Sequence, residues 1–284
     1  MNEVWILIPV HNRRETTRAC LSNLRNLGIL DRYHTCVIDD ASKDGTSEML
    51  AEEFPEVHVV QGDGNLYWGG GIATGMAAAE SANAEVHVWL NDDCIPDKGS
   101  IDEVVNRVRE TKGMCGGVCR DPEDESLITY SGSQIGVAAL VQPLPGQFEA
   151  TDVMNGNLVA IHADAVKRIG LLDSKRFLHY GGDIAYCINA RTQNIAAEIA
   201  GSATAVNPRG NSYEAFGLTK PANAIFNEPF RLASPLYLPT YWQVLLLSYG
   251  WKAYLRWPAY FVRLVKLWRQ ACKKAANNSH GGGR

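Results

Sequence analysis

The stretch Val86-His87-Val88-Trp89-Leu90-Asn91-Asp92-Asp93 decides how the chain is read. A mostly apolar run has the character of a buried strand, and the polar residues that follow mark where it ends. Two adjacent carboxylates at a strand end are unfavourable unless positive charge lies between them. The usual partner is a divalent cation, which prefers hard oxygen ligands. In the other reading the acids cap a helix over 100–110, although Asp97 or Ser100 could do that instead.

Upstream, apolar strands alternate with helical spacing. Strands are expected at Val4–Val10, Thr35–Ile38, Val57–Val60 and Val86–Leu90. Helices are expected at Glu15–Leu27, Thr46–Glu53, Gly71–Ala82 and Ile101–Thr111. Strands apolar on both faces in this alternation predict an α/β fold with a mostly parallel central sheet flanked by helices. Such sheets bind ligands at the carboxyl ends of their strands. His11-Asn12, Asp39-Asp40, Asn65 and Asn91-Asp92-Asp93 all fall there, so four polar strand ends on one edge make a site. From 113 to 160 short strands with Gly and Pro turns take over. Helical spacing returns over 164–192, interrupted by Phe177–Asp183.

The 284 residues suffice for one large domain or two modest ones, and 46% hydrophobic with 20% charged residues is ordinary for a globular protein. Seven scattered cysteines without a CxxC pair read as buried thiols in a reducing, cytoplasmic setting. The N-terminus lacks the basic start and the apolar length of a signal peptide. The net charge of −4 conceals a division: no Asp or Glu follows Glu228, where nine Lys and Arg give +9, leaving −13 on residues 1–228. The acidic body argues against nucleic acid, and the basic tail points to an anionic surface. Residues 236–268 hold four of the seven tryptophans. Leu232–Trp251 is uncharged, but Pro235, Pro239 and polar residues interrupt it, so a spanning helix is not expected. Beyond Pro258, Phe261, Leu264, Val265 and Trp268 share one face opposite Arg263, Lys266 and Arg269, a pattern suited to a membrane interface over 236–274. The expected division is a catalytic domain over 1–228 (halves 1–112 and 113–228), a helical tail over 229–275 and disorder over 276–284.

Three further motifs carry chemistry. Asp39-Asp40-Ala41-Ser42-Lys43-Asp44-Gly45-Thr46 ends a strand with acids that can accept from a base N–H or a ribose hydroxyl, then forms a turn and helix cap. Asn65-Leu66-Tyr67-Trp68-Gly69-Gly70-Gly71 sets glycines at a helix entrance, where bare backbone suits an anion. Gly69-x-Gly71-x3-Gly75 also matches a dinucleotide fingerprint, but it follows the third strand, not the first, which disfavours an oxidoreductase. Asp183 stands at the mouth of a helix over 184–192, as a cap or as a base.

Together, Ile8-Pro9-Val10-His11-Asn12-Arg13, Val37 to Thr46, Asn65 to Gly75 and Trp89 to Asp93 resemble family 2 glycosyltransferases of the GT-A fold over roughly residues 1–200. Within that family the chain is most similar to bacterial rhamnosyltransferase-like enzymes. The resemblance implies that Pro9, His11, Asn12 and Arg13 line the nucleotide-sugar pocket with Asn65, Trp68, Gly69, Gly70, Asn91 and Asp92. It implies that Asp40 contacts base or ribose, that Asp93 ligates Mn²⁺ or Mg²⁺, and that Asp183 is the catalytic base. Asn155–Ile161, Gly170–Asp173 and Phe177–Tyr186 resemble the acceptor side. The chain departs from the family pattern at Gly182, Ala185 and Asn189, and no His stands near 206–212 to complete a metal shell. Arg209 is expected on the diphosphate instead. The expected activity is inverting transfer of a sugar, L-rhamnose from dTDP-rhamnose or else a UDP-hexose, to a hydroxyl of a cell-surface or lipid-linked glycan at the inner face of the cytoplasmic membrane. A nucleotidyltransferase, or a non-catalytic nucleotide- or glycan-binding scaffold, are the alternatives.

Overall fold

The computed structural model describes residues 3–137, 139–208, 221–232 and 234–281. They form two compact units, the first ending at Pro208 and the second starting at Arg209. That boundary lies ahead of the expected 228, so the acidic Glu228 belongs with the basic tail.

In the first unit, strands β1 (Val4–Val10), β2 (His34–Asp39), β3 (His58–Gln61) and β4 (Val86–Leu90) alternate with helices α1 (Arg14–Asn26), α2 (Thr46–Glu53) and α3 (Tyr67–Ser81). Then follow β5 (Ile95–Pro96), α4 (Ser100–Thr111), β6 (Met114–Arg120), β7 (Ile128–Tyr130), β8 (Gly132–Ser133), β9 (Leu140–Val141), β10 (Phe148–Ala150), β11 (Val153–Met154) and β12 (Leu158–His162). Helices α5 (Ala163–Ile169) and α6 (Gly182–Thr192) and strand β13 (Ala197–Val206) close the unit. The main sheet has the order β10-β13-β6-β12-β4-β1-β2-β3. Strands β4-β1-β2-β3 are parallel, as are β6 and β13, while β12 lies antiparallel between β4 and β6.

Successive side chains on a strand point to opposite faces. On one face Val4, Ile6, Ile8 and Val10 of β1 pack with Cys20, Leu21 and Leu24 of α1, Met49 and Leu50 of α2, and Val104, Val105 and Val108 of α4. Both faces being buried explains why these strands read as continuous apolar runs. On the other face α3 lies close because it carries glycines. A Cβ on Gly71 would stand 2.7 Å from the Pro9 ring, and one on Gly75 would stand 2.8 Å from Ile38. The α3 helix begins at Tyr67, so Gly69, Gly70 and Gly71 lie in its first turn and just beyond it. There these glycines are also the surface against which β1 and the Phe177–Leu178 backbone pack.

The second unit contains a 3₁₀ segment over Ala222–Phe230 and helices over Leu238–Tyr249, Ala253–Arg256 and Pro258–Gly281. The last helix continues through 276–281, where disorder was expected. Its apolar residues divide into two stripes. Tyr260, Leu264, Leu267 and Ala271 are buried with Ile225 and Leu236, whereas Phe261, Val262, Val265 and Trp268 are exposed. Leu264 therefore faces the core and not, as expected, the side of Phe261 and Trp268. No helix among the described residues is long and apolar enough to cross a membrane.

Replacing Gly71 by Ala tests the close approach of α3. Urea unfolding should show a loss of about 1–3 kcal/mol, the range for overpacking a rigid neighbour; an unchanged midpoint would contradict the packing described.

Candidate active site

The carboxyl ends of β1 to β4 place the four polar segments on one edge, and hydrogen bonds fix each of them. Asp40, 5% exposed, holds the loop that leads into α3. Its Oδ1 accepts the Gly64 N–H at 2.7 Å, and its Oδ2 accepts those of Leu66 and Tyr67 at 2.9 and 3.1 Å. The carboxylate thus neutralises free N–H groups at the start of a helix, where an anion is favoured. Three of the carboxylate's lone-pair sites are thus taken by backbone, and Oδ1, with a single donor, keeps room for one more. Asp39 is equally occupied, by the Ser42 N–H at 3.0 Å and the Ser47 hydroxyl. His11 is exposed, and its Nδ1 lies 2.6 Å from the Asp40 carbonyl. Asn12 adopts a left-handed conformation (φ 53°), tied to Ser42 and Lys43. Pro9 is half-buried under Gly71, and Asn65 is exposed, its side-chain amide donating to the Asp63 carbonyl.

At the end of β4, Asn91 is anchored at two points. Its N–H donates to the Asn157 carbonyl at 3.2 Å, and its Oδ1 accepts from the Trp68 indole N–H at 2.7 Å. Asp92 and Asp93 do not cap α4; the residue before that helix is Gly99, and Asp97 instead pairs with Arg120 at 2.7 Å. The positive group between the two acids is Arg13. Its Nε lies 3.2 Å from Asp92 Oδ2, and a terminal nitrogen lies 2.9 Å from Asp93 Oδ2. Thr17 also donates to Asp92 at 3.3 Å, and Asn207 donates to Asp93 Oδ1 at 3.1 Å. Burial pushes the Asp92 carboxyl up to about 7, with Arg13 pulling it down and Asp93 adding to the rise. Asp93 is more open, with a side chain 21% exposed.

The donors here suit a hard cation, since Asp93, Asp92 and Asn207 offer only oxygens as metal ligands. Among the described residues no group of three or more His, Cys, Asp or Glu could hold a metal by itself. Further ligands of a cation at Asp93 would be oxygens of water, backbone or a bound phosphate, as for Mg²⁺ beside a nucleotide.

Asp183 reaches the same region through the second half of the unit. The N–H of Gly69 donates to the Leu178 carbonyl at 2.7 Å, and a Cβ on Gly69 would stand 2.1 Å from the Phe177 carbonyl oxygen. This contact clamps the segment preceding Asp183 onto α3. Gly181, left-handed at φ 75°, precedes α6, so Asp183 sits in the first turn and is not the cap. Its Oδ1 accepts the Ile184 N–H at 2.8 Å and its Oδ2 accepts the Gly156 N–H at 3.1 Å. Burial raises its carboxyl above the ordinary value, against those two hydrogen bonds. Gly156 has to be glycine, because a Cβ there would stand 2.4 Å from the Trp68 ring. Trp68 thus touches both the Asp92–Asp93 loop, through Asn91, and the support of Asp183. Gly182, where relatives were expected to carry an acid, faces Leu172 and Phe177. Arg209 lies outside the described residues. No local motif marks Thr17, Gly156 or Asn207 as partners of these carboxylates. Only the position of Asn207, in the segment searched for a histidine, offered a signal.

The family model described as Glycosyl transferase family 2 matches residues 5–165, more than half of the chain. The chain belongs to glycosyl transferase family 2. The fold of this glycosyltransferase is shared by solved structures. The mannosyltransferase PcManGT from Pyrobaculum calidifontis, in complex with GDP-Man and Mn²⁺, superposes with a TM-score of 0.58 at 16% identity, over 98% of this chain and 79% of that one. GalNAc-T7 with UDP, GalNAc and Mn²⁺ gives 0.59 at 14% identity, over 73% and 44%. The transferase thus spans under half the length of GalNAc-T7. Comparison with curated proteins finds no match.

Asp92 gives the transferase a pH signature. Its carboxyl is raised in the fold, so the folded state keeps a proton that the unfolded chain has lost. The stabilisation is present at acid pH and disappears as pH rises to about 7. In metal-free buffer Asp92→Asn should gain stability over the parent at pH 8 relative to pH 5. Parallel pH profiles for the two proteins would rule this out.

Proposed function

We propose that the transferase moves a hexose, with L-rhamnose from dTDP-rhamnose as the first candidate and a UDP-hexose as the second, to a hydroxyl of a surface glycan or lipid-linked oligosaccharide, inverting the anomeric carbon. The observation that supports the chemistry is a half-buried carboxylate, Asp183, held by two backbone N–H groups and linked through Gly156, Trp68 and Asn91 to the strand end that carries Asp92 and Asp93. Desolvation makes Asp183 a stronger base than a solvated aspartate. It would take the proton from the acceptor hydroxyl while that oxygen attacks the anomeric carbon. Across the edge, Asp93 is the proposed ligand of Mn²⁺ or Mg²⁺, with Asp92 and Asn207 behind it. The cation supplies Lewis-acid stabilisation of the departing nucleoside diphosphate. The Mn²⁺ in the complexes of PcManGT and GalNAc-T7 supports that choice. His11, Asn12, Arg13 and Trp68 are the side chains proposed to meet the nucleotide sugar, whereas Asp40, Gly69 and Gly70 contribute by shaping the loop and helix that carry them.

The exposed stripe Phe261, Val265 and Trp268, together with Val262, Leu255 and Trp251, supports docking of the tail on an anionic membrane, where the acceptor would be found. Charge complementarity carries this reading. The only carboxylate in the described part of the tail, Glu228, is buried and paired with Arg231 at 3.2 Å.

Product analysis tests the chemistry. Asp183→Asn should lower turnover about 10²–10⁴-fold while the affinity for the nucleoside diphosphate stays unchanged. Retained turnover would remove Asp183 from the reaction, and release of pyrophosphate in place of a nucleoside diphosphate would make the protein a nucleotidyltransferase. Because the base has a raised carboxyl, the rate of the parent enzyme should fall on acidification at a pH above the ordinary aspartate range. Vesicle sedimentation tests the tail. Binding to vesicles containing phosphatidylserine should weaken with salt and with Phe261→Ser plus Trp268→Ser, and equal binding to neutral vesicles would contradict the electrostatic part.

A further inference from the structure

Arg13 engages two acids with two different nitrogens. Its Nε faces Asp92 at 3.2 Å and a terminal nitrogen faces Asp93 at 2.9 Å. Among the described residues the pair also accepts from two neutral side-chain donors, the Thr17 hydroxyl and the Asn207 amide. We propose that Arg13 is a built-in counter-cation that competes with the divalent ion for Asp92 and Asp93, so that the ion is seated together with the donor nucleotide and not ahead of it. The proposal rests on the reading of Asp93 as the cation ligand.

Three features of the chain support it. First, a guanidinium cannot shed its proton in a protein, so the conflict with a second cation at 2.9–3.2 Å can be relieved only by movement. Second, Arg13 can move. Its side chain is 43% exposed, while its backbone is fixed, because its carbonyl accepts the Thr17 N–H at 2.9 Å and Asn12 before it is tied to Ser42 and Lys43. Rotation about the side-chain bonds is enough to take the guanidinium off the acids. Third, a diphosphate offers the planar fork a pair of oxygens to replace the carboxylates it leaves. The same diphosphate supplies the oxygens that the two acids lack for a full cation shell. A nucleotide that draws Arg13 away and a cation that enters behind it therefore strengthen each other's binding, which is a reciprocal coupling between two ligands.

The test is Mn²⁺ binding to the full chain, followed by the electron paramagnetic resonance signal of free Mn²⁺, without nucleotide and then with dTDP or UDP. A latch closed about nine-tenths of the time weakens the ion about ten-fold. Arg13→Gln should therefore bind Mn²⁺ alone about ten-fold more tightly than the parent, and the gain in Mn²⁺ affinity on adding nucleotide should shrink by a similar factor. Arg13→Lys, which keeps the charge but cannot span both acids, should fall between the two and serves if the glutamine variant melts early. A residue with a merely structural role would not raise affinity for the free ion. Unchanged or weaker Mn²⁺ binding by both variants, with nucleotide-dependent binding intact in the parent, overturns the latch alone. A parent that binds no Mn²⁺ with any nucleoside diphosphate overturns the latch and the cation reading together.

Discussion

The carboxylate of Asp40 organises the edge on which the candidate site is built. Three backbone N–H groups from Gly64, Leu66 and Tyr67 converge on it, at 2.7 to 3.1 Å. That convergence sets where α3 begins, and two consequences follow within one turn. Trp68 is brought to Asn91 at the end of β4, and Gly69 is brought to the Leu178 carbonyl, shortly after which the second half of the first unit turns into Gly182 and Asp183. A buried carboxylate stripped of such donors would be costly. The loop must therefore close on Asp40, and the site inherits its geometry from that closure.

A second constraint is electrostatic. Asp92 and Asp93 bring two carboxyl groups to the end of a buried strand, and the fold answers with Arg13, from the turn between β1 and α1. Charge at this edge is therefore balanced by a side chain that can be exchanged, because Arg13 is exposed while Asp92 is buried. The arrangement keeps the acids together without committing them to one cation. It suits an edge that has to accept a multiply charged ligand and release it again.

Much of this was legible in the sequence where physics is local. Strand Val4–Val10, helix Thr46–Glu53 and strand Val86–Leu90 were read with the observed bounds, because apolar runs end abruptly at polar or turn residues. The convergence of the four polar ends follows from parallel strand order alone. What escaped the reading involves partners distant in sequence. The glycines of α3 serve Pro9, Ile38 and Phe177, none of which a local motif names. Arg13 meets acids about eighty positions away, and Asn207 meets Asp93 from the far end of β13. In the tail, the spacing of Phe261, Leu264, Val265 and Trp268 announced an amphipathic helix. It could not tell which apolar stripe would be taken by Ile225 and Leu236 and which left exposed.

On the proposed function Asp93 and Asp183 face one donor site, the first through a cation and the second as a base. Anomalous diffraction from crystals grown with a nucleoside diphosphate and Mn²⁺ addresses it directly. The expected result is a manganese peak bonded to Asp93 and to the diphosphate, with the Arg13 guanidinium off the acids and the Asp183 carboxylate lining the space beside the diphosphate. A manganese peak away from Asp93, or a nucleotide bound where Asp183 cannot reach the adjoining space, would contradict it.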